Sequence, residues 1–408
     1  NLGALVAGLH DLGKFSVPFQ AKVPDLWPSA ALGPPTKDLP VDAGHWRYTA
    51  LLMHEGPAAR LLEAAFGTQW THIRDDLKTI AAGHHGQPPE IDWMGVAGPL
   101  APARTLRSEA LALPDACREA AGTAAAALLS VLAAPDFRGL QSGLLRKASL
   151  LLNGLVTTAD WVASGFSYPD GRADGLSDAG SYWRRARNEA RHAIKRCGLE
   201  PLTAVAVGWQ ALGLNPEGLR PMQVVVSKVA ITAGPNLFIL EDMTGAGKTE
   251  AALMLALRLM LAGKGEGIYF ALPTMATANA MHKRLADCHR ALFATRDGVE
   301  PSLVLAHAKA GLARRIARLG TDGMAGGVAA HCNDWIADSR RKALFADIGA
   351  GTIDQVFLAV LRKKFLTLRQ IALANRILIV DEAHSFDAYM GVEMRTLLRL
   401  HAMNGGSA

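Results

Sequence analysis

The stretch Met243-Thr244-Gly245-Ala246-Gly247-Lys248-Thr249 constrains the fold more than any other part of this 408-residue chain. It follows the apolar run Leu237-Phe238-Ile239-Leu240 and precedes a helical stretch beginning near Glu250. Glycines at this density let backbone N–H groups face a phosphate, the N-terminus of the next helix adds positive potential, and a lysine neutralises β- and γ-phosphates. Thr244, Gly245, Gly247 and Lys248 are therefore candidate nucleotide ligands, with Thr249 as the magnesium ligand. Asp242 stands where the general eight-residue pattern has its first glycine. Three further apolar runs, Gly267-Ile268-Tyr269-Phe270-Ala271-Leu272, Leu303-Val304-Leu305 and Ile377-Leu378-Ile379-Val380, read with Leu237-Phe238-Ile239-Leu240 as strands buried on both faces. Strands alternating with helices imply a parallel sheet, so residues 213–408 are expected to form an α/β lobe.

A second feature completes the nucleotide reading. Asp381-Glu382-Ala383-His384 ends the last of these strands. Asp381 would hold magnesium through water, and Glu382 would position or activate the attacking water in phosphoryl transfer. Ligands of open α/β sheets bind at the carboxyl ends of strands, where both motifs fall. Upstream, Gln223 in Pro221-Met222-Gln223 is either a reader of the adenine edge or an ordinary surface glutamine.

The first half follows a different pattern. Leu144, Ala148, Leu151, Leu152 and Leu155 recur at helical spacing, and β-branched runs are few. Residues 1–165 are expected to be an all-α bundle. Turn chemistry around Pro169-Asp170-Gly171 marks a boundary, and residues 166–212 read as a linker carrying a basic helix near Tyr182 to Cys197. The bundle contains His10-Asp11-Leu12-Gly13-Lys14, then His45, Gly83-His84-His85-Gly86 and Asp160-Trp161. An adjacent histidine and aspartate offer one neutral nitrogen and one carboxylate able to bridge two metals. Taken singly, each histidine also reads as a surface or helix-capping residue. Only a bundle pointing them inward would join them.

Composition narrows the remaining classes. Half of the residues are hydrophobic, enough for each part to bury a core. No run of eighteen apolar residues occurs, so a soluble, cytoplasmic monomer without membrane contact is expected. Cys117, Cys197, Cys288 and Cys332 form no C-x-x-C pair, which argues against a zinc ribbon or disulfide framework. A net charge of +6 permits a polyanionic partner. Two basic runs, Arg340-Arg341-Lys342 and Arg362-Lys363-Lys364, read as solvated faces or as part of such a surface.

Four stretches together resemble a known family. They are Thr244-Gly245-Ala246-Gly247-Lys248-Thr249-Glu250, Leu272-Pro273-Thr274-Met275-Ala276-Thr277-Ala278-Asn279-Ala280-Met281, Gly351-Thr352-Ile353-Asp354-Gln355 and Asp381-Glu382-Ala383-His384-Ser385-Phe386-Asp387-Ala388-Tyr389-Met390. They are similar to the superfamily 2 motor motifs of the helicase-nuclease of type I CRISPR systems, subtype I-E in particular. The resemblance implies an HD nuclease domain followed by a first RecA-like motor lobe. It implies His10, Asp11, His45, His84, His85 and Asp160 as ligands of two divalent ions, with Asp11 bridging and Lys14 near the scissile phosphate. Such ligation suits iron, manganese, cobalt or nickel better than calcium. It implies Thr274 and Thr352 as contacts to single-stranded DNA, ATP and magnesium as motor cofactors, 3′ to 5′ travel, and recruitment by an RNA-guided CRISPR surveillance complex (Cascade). Family members carry one further histidine before the HD pair and a second motor lobe, so the chain reads as part of a longer architecture. Two rivals stand beside this reading: an HD nucleotide phosphohydrolase with a regulatory ATPase half, and a non-cutting nucleic-acid remodeller that docks through its helical domain.

Overall fold

The computed structural model describes residues 2–35, 44–86, 113–132, 137–165, 178–294, 300–306 and 343–408. Two compact units divide them: Asn1–Arg191 with Lys363–Thr367, and His192–Arg362 with Leu368–Ala408.

The first unit is helical. Its helices are α1 (Leu2–Leu9), α2 (Val17–Gln20), α3 (Ser29–Leu32), α4 (His45–Leu52), α5 (Pro57–Phe66), α6 (Trp70–Ala82), α7 (Asp115–Val131), α8 (Ser142–Ser164) and α9 (Ala179–Cys197), the last running on past Arg191. Helical spacing explains their packing: Ile73, Leu77 and Ile80 put one face of α6 into a core shared with Leu5 and Leu9 of α1 and Leu52 of α4. Burying each such side chain contributes about 1.5–3 kcal/mol. Helix α8 departs from its expected face. Leu144 and Leu155 are 58% and 39% exposed, while Leu145, Ser149, Asn153, Val156 and Thr157 are buried. The inward face is thus partly polar, because its polar groups have partners inside. Asn153 Nδ2 donates to the Ile80 carbonyl at 2.7 Å, and Thr367 Oγ1 donates to Asn153 Oδ1 at 2.7 Å. Arg146 Nε also pairs with the buried Asp76 Oδ2 at 2.8 Å, fastening α8 to α6.

The second unit contains α10 (Pro221–Lys228), α11 (Lys248–Leu261), β1 (Gly267–Leu272), α12 (Met275–Cys288), β2 (Leu303–Ala306), β3 (Ile348–Thr352), α13 (Ile353–Phe357), α14 (Leu366–Ala374), which begins in the first unit's Lys363–Thr367 segment, β4 (Arg376–Val380) and α15 (Ala388–Met403). The four strands pair in parallel in the order β2-β3-β1-β4, with Ile268 opposite both Ile348 and Ile377. Strand β3 has no strand-like run in sequence. Its glycines are there for space: a Cβ on Gly349 would lie 2.5 Å from the Tyr269 ring, and one on Gly351 would lie 2.2 Å from the Ala306 carbonyl. The expected strand at Leu237-Phe238-Ile239-Leu240 is corrected. That segment lies outside the four-stranded sheet, with Leu237 and Ile239 60% and 77% exposed. It meets the chain's last residues instead: Phe238 N–H donates to the Ala408 carbonyl, and Ala408 N–H to that of Asn236.

Among the described residues Cys117, Cys197 and Cys288 are buried and form no disulfide. Cys332, the Arg340-Arg341-Lys342 run and linker residues 166–177 lie outside the described residues. Among described residues no helix is long and apolar enough to cross a membrane.

Candidate metal centre and nucleotide site

In the first unit the bundle gathers all of the expected metal ligands. His10 follows α1, Asp11 precedes the tight turn Leu12–Phe15, and His45 opens α4. His84 and His85 lie in the turn after α6, and Asp160 is on α8. His10 Nε2 lies 3.2 Å from Asp11 Oδ2 and 3.7 Å from Asp160 Oδ1. His45 Nε2 is 3.2 Å from Asp11 Oδ1 and 3.0 Å from His85 Nε2. The His84 ring stands 4.7 Å from that of His10 and 4.2 Å from that of His85. Two overlapping triads, His45-His84-His85 and His10-Asp11-His84, each keep one ligand atom per residue within 4.8 Å of the others.

Backbone carbonyls set the histidine orientations. Nδ1 of His10 lies 2.5 Å from the Ala7 carbonyl, and Nδ1 of His84 lies 2.8 Å from that of Ala81. A carbonyl accepts only, so Nδ1 carries a hydrogen and the neutral ring turns its Nε2 lone pair to the cluster, as in metal sites whose second nitrogen is so held. Both Nε2 atoms are buried without a hydrogen-bond partner. Buried orphans of this kind call for a ligand. Together with the imidazole and carboxylate donors, they fit divalent cations. The two oxygens of Asp11 face different histidines, Oδ2 towards His10 and Oδ1 towards His45.

The charges are strongly coupled. Burial opposes charging of His10, but the Asp11 and Asp160 carboxylates, which can accept from its Nε2 only when the ring is charged, outweigh it and raise its pKa to about 9. Burial likewise opposes ionisation of Asp11, yet His10, His45 and Lys14 hold its carboxyl far below the usual range. Asp160 is lowered as well, His10 overcoming its burial. Burial, then the charge of His10, pushes His84 down to about 4. Lys14 Nζ lies 2.5 Å from Asp11 Oδ2.

Several supporting residues escaped the sequence reading. Thr49 Oγ1 donates to the His10 carbonyl at 2.8 Å and accepts from Gly13 N–H at 2.9 Å, so one hydroxyl joins the His-Asp corner to the helix bearing His45. Asn153 packs on the turn before the histidine pair, where a Cβ on Gly83 would sit 2.7 Å from its Nδ2. Thr157 Oγ1 donates to the Asn153 carbonyl at 2.9 Å. Their sequence signal is faint: Asn153, Thr157 and Asp160 are polar residues spaced along one face of a helix.

In the second unit Gly245 and Gly247 adopt φ of 83° and 80°, left-handed values that favour glycine. Gly247 caps α11, which begins at Lys248. Lys248 Nζ turns back onto the loop, donating to the carbonyls of Asp242 at 2.6 Å and Met243 at 3.1 Å. Lys248, Thr249, Asp381 and Glu382 line one cavity of ≈ 390 Å³, so the loop and the acidic pair converge. Burial, then the adjacent Glu382, raises the Asp381 carboxyl. Glu382 itself has a left-handed φ of 55° and lies 3.2 Å from His384 Nε2. A non-glycine residue held in that region stores strain at a functional turn.

The outlying residues are placed differently. Gln223 is 2% exposed; its Oε1 accepts from Arg220 N–H at 3.0 Å and its Nε2 donates to the Gly247 carbonyl at 3.3 Å, bracing the loop. Thr274 caps α12, accepting from Thr277 N–H at 3.1 Å. Thr352 is 6% exposed at the end of β3.

Comparison with known proteins gives a consistent result. Residues 1–168 match the model of the Cas3 HD domain. The chain is 33% identical to the CRISPR-associated endonuclease/helicase Cas3 of Thermus thermophilus over 99% of its length and 43% of that protein. It is 32% identical to the protein of that name from Escherichia coli, over 64% of this chain and 29% of the relative. The crystal structure of T. fusca Cas3-AMPPNP superposes with a TM-score of 0.76 at 26% identity, covering 99% of this chain and 43% of that one. The chain thus spans under half the length of these relatives.

Proposed function

Because the chain belongs to the Cas3 family of CRISPR-associated helicase-nucleases, we propose that it supplies the nuclease centre and the first ATPase lobe of an enzyme that pulls in and cuts single-stranded DNA. The observation that carries the reading is the convergence of His10, Asp11, His45, His84, His85 and Asp160 around buried, unpartnered Nε2 atoms, in one chain with a phosphate-binding loop facing an Asp-Glu pair. The work is defence against invading DNA in the cytoplasm, with travel 3′ to 5′ as a monomer recruited by an RNA-guided surveillance complex.

His10, His45, His84, His85 and Asp160 would hold two divalent transition metal ions, iron, manganese, cobalt or nickel, with Asp11 between them. Such ions supply a hydroxide at neutral pH and stabilise the leaving oxygen of a phosphodiester. The chain's own part is orientation. The Ala7 and Ala81 carbonyls fix two imidazoles, Thr49 ties the Asp11 corner to α4, and Lys14 stands where it can meet a phosphate oxygen once Asp11 no longer needs it. In the motor, Lys248 exchanges the Asp242 and Met243 carbonyls for the β- and γ-phosphates of ATP. Thr249 and Asp381 would hold magnesium, and Glu382 would orient the attacking water. Thr244, Gly245 and Gly247 cradle the phosphates, Gln223 joins the adenine side to the loop, and Thr274 and Thr352 contact the strand.

The test is a pair of variants in the intact protein, assayed on circular single-stranded DNA with manganese and ATP. Asp11→Asn should abolish cutting and spare ATP hydrolysis. Lys248→Ala should abolish ATP hydrolysis and spare metal binding. Cutting retained by Asp11→Asn would remove the nuclease assignment.

A further inference from the structure

We propose that the solvent face of α9 is a track for the sugar-phosphate backbone of single-stranded DNA, a site separate from the metal cluster and the nucleotide cavity. The inference rests on the single-stranded substrate proposed above. The helix is strongly two-faced. Trp183 packs against the bundle core, and Ala193 and Cys197 are buried on the same side. On an exposed flank of the helix, Arg184, Arg187, Arg191 and Lys195 follow one another at three- and four-residue steps. This spacing puts one cation on each turn of about 5.4 Å, a row about 16 Å long. Arg185 and Arg196 lie beside the row, and Glu189 is the helix's one acidic residue.

An ordinary solvated helix face mixes signs, with acids near its N-terminus and i, i+4 pairs of opposite charge. Besides Glu189, helix α9 has an acid only at its start: Asp178 Oδ1 accepts from Ser181 N–H at 2.7 Å, and Ser181 Oγ in turn accepts from Arg184 Nη2 at 2.9 Å. Beyond that cap, Arg187, Arg191 and Lys195 set like charges at the spacing where they repel. That arrangement opposes the helix unless something outside neutralises it. A regular line of cations suits a regular line of anions, and only a phosphate backbone provides one without demanding a particular sequence. Arginine suits this use because its planar fork engages phosphate oxygens bidentately.

The experiment uses the intact protein in EDTA without nucleotide, and measures binding of a fluorescein-labelled thymidine oligomer of about 20 nucleotides from 0.1 to 1 M salt. Each phosphate contact to a single strand adds about 0.7 to the slope of log affinity against log salt. Arg187→Gln with Arg191→Gln should lower that slope by about 1.4, an affinity loss of about 25-fold at 0.1 M salt relative to 1 M. Melting temperature and manganese binding should be unchanged. An unaltered slope overturns the proposal, as does a duplex of equal length that binds more tightly and loses more. Intact oligomer binding with lost binding to the surveillance complex overturns it too, by making the face a protein contact. If wild-type protein cuts no DNA yet the slope falls as stated, the track stands and the nuclease reading fails.

Discussion

Gly13 offers the sharpest test of how the metal cluster is built. Nothing in its backbone calls for a positive φ; it is needed for space. A Cβ at this position would lie 1.7 Å from the His45 carbonyl oxygen and 2.7 Å from Thr49 N, both backbone atoms that no rotamer change can move. Restoring a contact of about 3.2 Å requires the Asp11 corner and α4 to separate by roughly 1.5 Å, a shift for which a close-packed interior has little room. Overpacking of this kind costs about 1–3 kcal/mol. Loss of the Gly13-to-Thr49 hydrogen bond adds about 1 kcal/mol. Metal–ligand distances tolerate only about 0.2 Å, so His45 could no longer share an ion with Asp11, and affinity should fall at least 10–100-fold. The assay pairs a thermal melt with manganese titration calorimetry on Gly13→Ala, with Gly139→Ala as control because its Cβ would meet nothing within 4 Å. Wild-type manganese affinity in Gly13→Ala, with melting equal to the control, would refute this account of the corner.

Further outcomes follow from the same cluster. His84, lowered to about 4, stabilises the metal-free unit above its unfolded pKa near 6.5, and that contribution is lost as pH falls from 6.5 towards 4. His10, raised to about 9, stabilises below 6.5, and that is lost as pH rises towards 9. Each amounts to about 3 kcal/mol, so melting of chelator-treated protein should peak near pH 6.5, and a flat profile between pH 5 and 8 would contradict both assignments. Binding of manganese at pH 7.5 should release close to one proton per chain, from His10, measured by calorimetry in two buffers of different ionisation enthalpy. Asn153→Ala leaves the Ile80 carbonyl and the Thr367 hydroxyl without their partner and should destabilise by about 1–3 kcal/mol in denaturant melts.

How much of this was legible in the sequence depended on how local the determinants are. The phosphate-binding loop announces itself because its glycines, lysine and threonine act within one turn of backbone, and Asp381-Glu382 lies directly after an apolar strand. Strand β3 is silent because Gly349 and Gly351 answer to Tyr269 and Ala306, residues far off in the chain. The same holds in the bundle. His10 and Asp11 are neighbours and read as a pair, whereas His45, His84, His85 and Asp160 join them only through helix packing, which the family resemblance supplied. Thr49 carries no mark at all and Asn153 only the faint one of sharing a helix face with Thr157 and Asp160, since a buried threonine or asparagine in a helix looks like any polar residue until its distant carbonyl is known. The Leu237-Phe238-Ile239-Leu240 run shows the opposite failure: an apolar pattern announces strand propensity, but ladder membership is decided by which backbone lies alongside.

The charge pattern of the metal cluster gives Lys14 its place. Without ions, the negative charges of Asp11 and Asp160 are balanced by the Lys14 ammonium and by the proton that a pKa of about 9 keeps on His10. Balance is what burial demands, because an unpaired carboxylate in a dry site is costly. Two divalent ions would overturn it. They would bring about four positive charges against two carboxylates, remove the proton from His10, and leave the Asp11 oxygens engaged elsewhere. The Lys14 ammonium would then lose its Asp11 partner and face an excess of positive charge, which a phosphodiester anion would relieve. On the proposed nuclease reading, the lysine would serve as a stand-in cation before the metals arrive and as a substrate contact afterwards. Its position three residues after Asp11, across the Leu12–Phe15 turn, keeps it within reach of both.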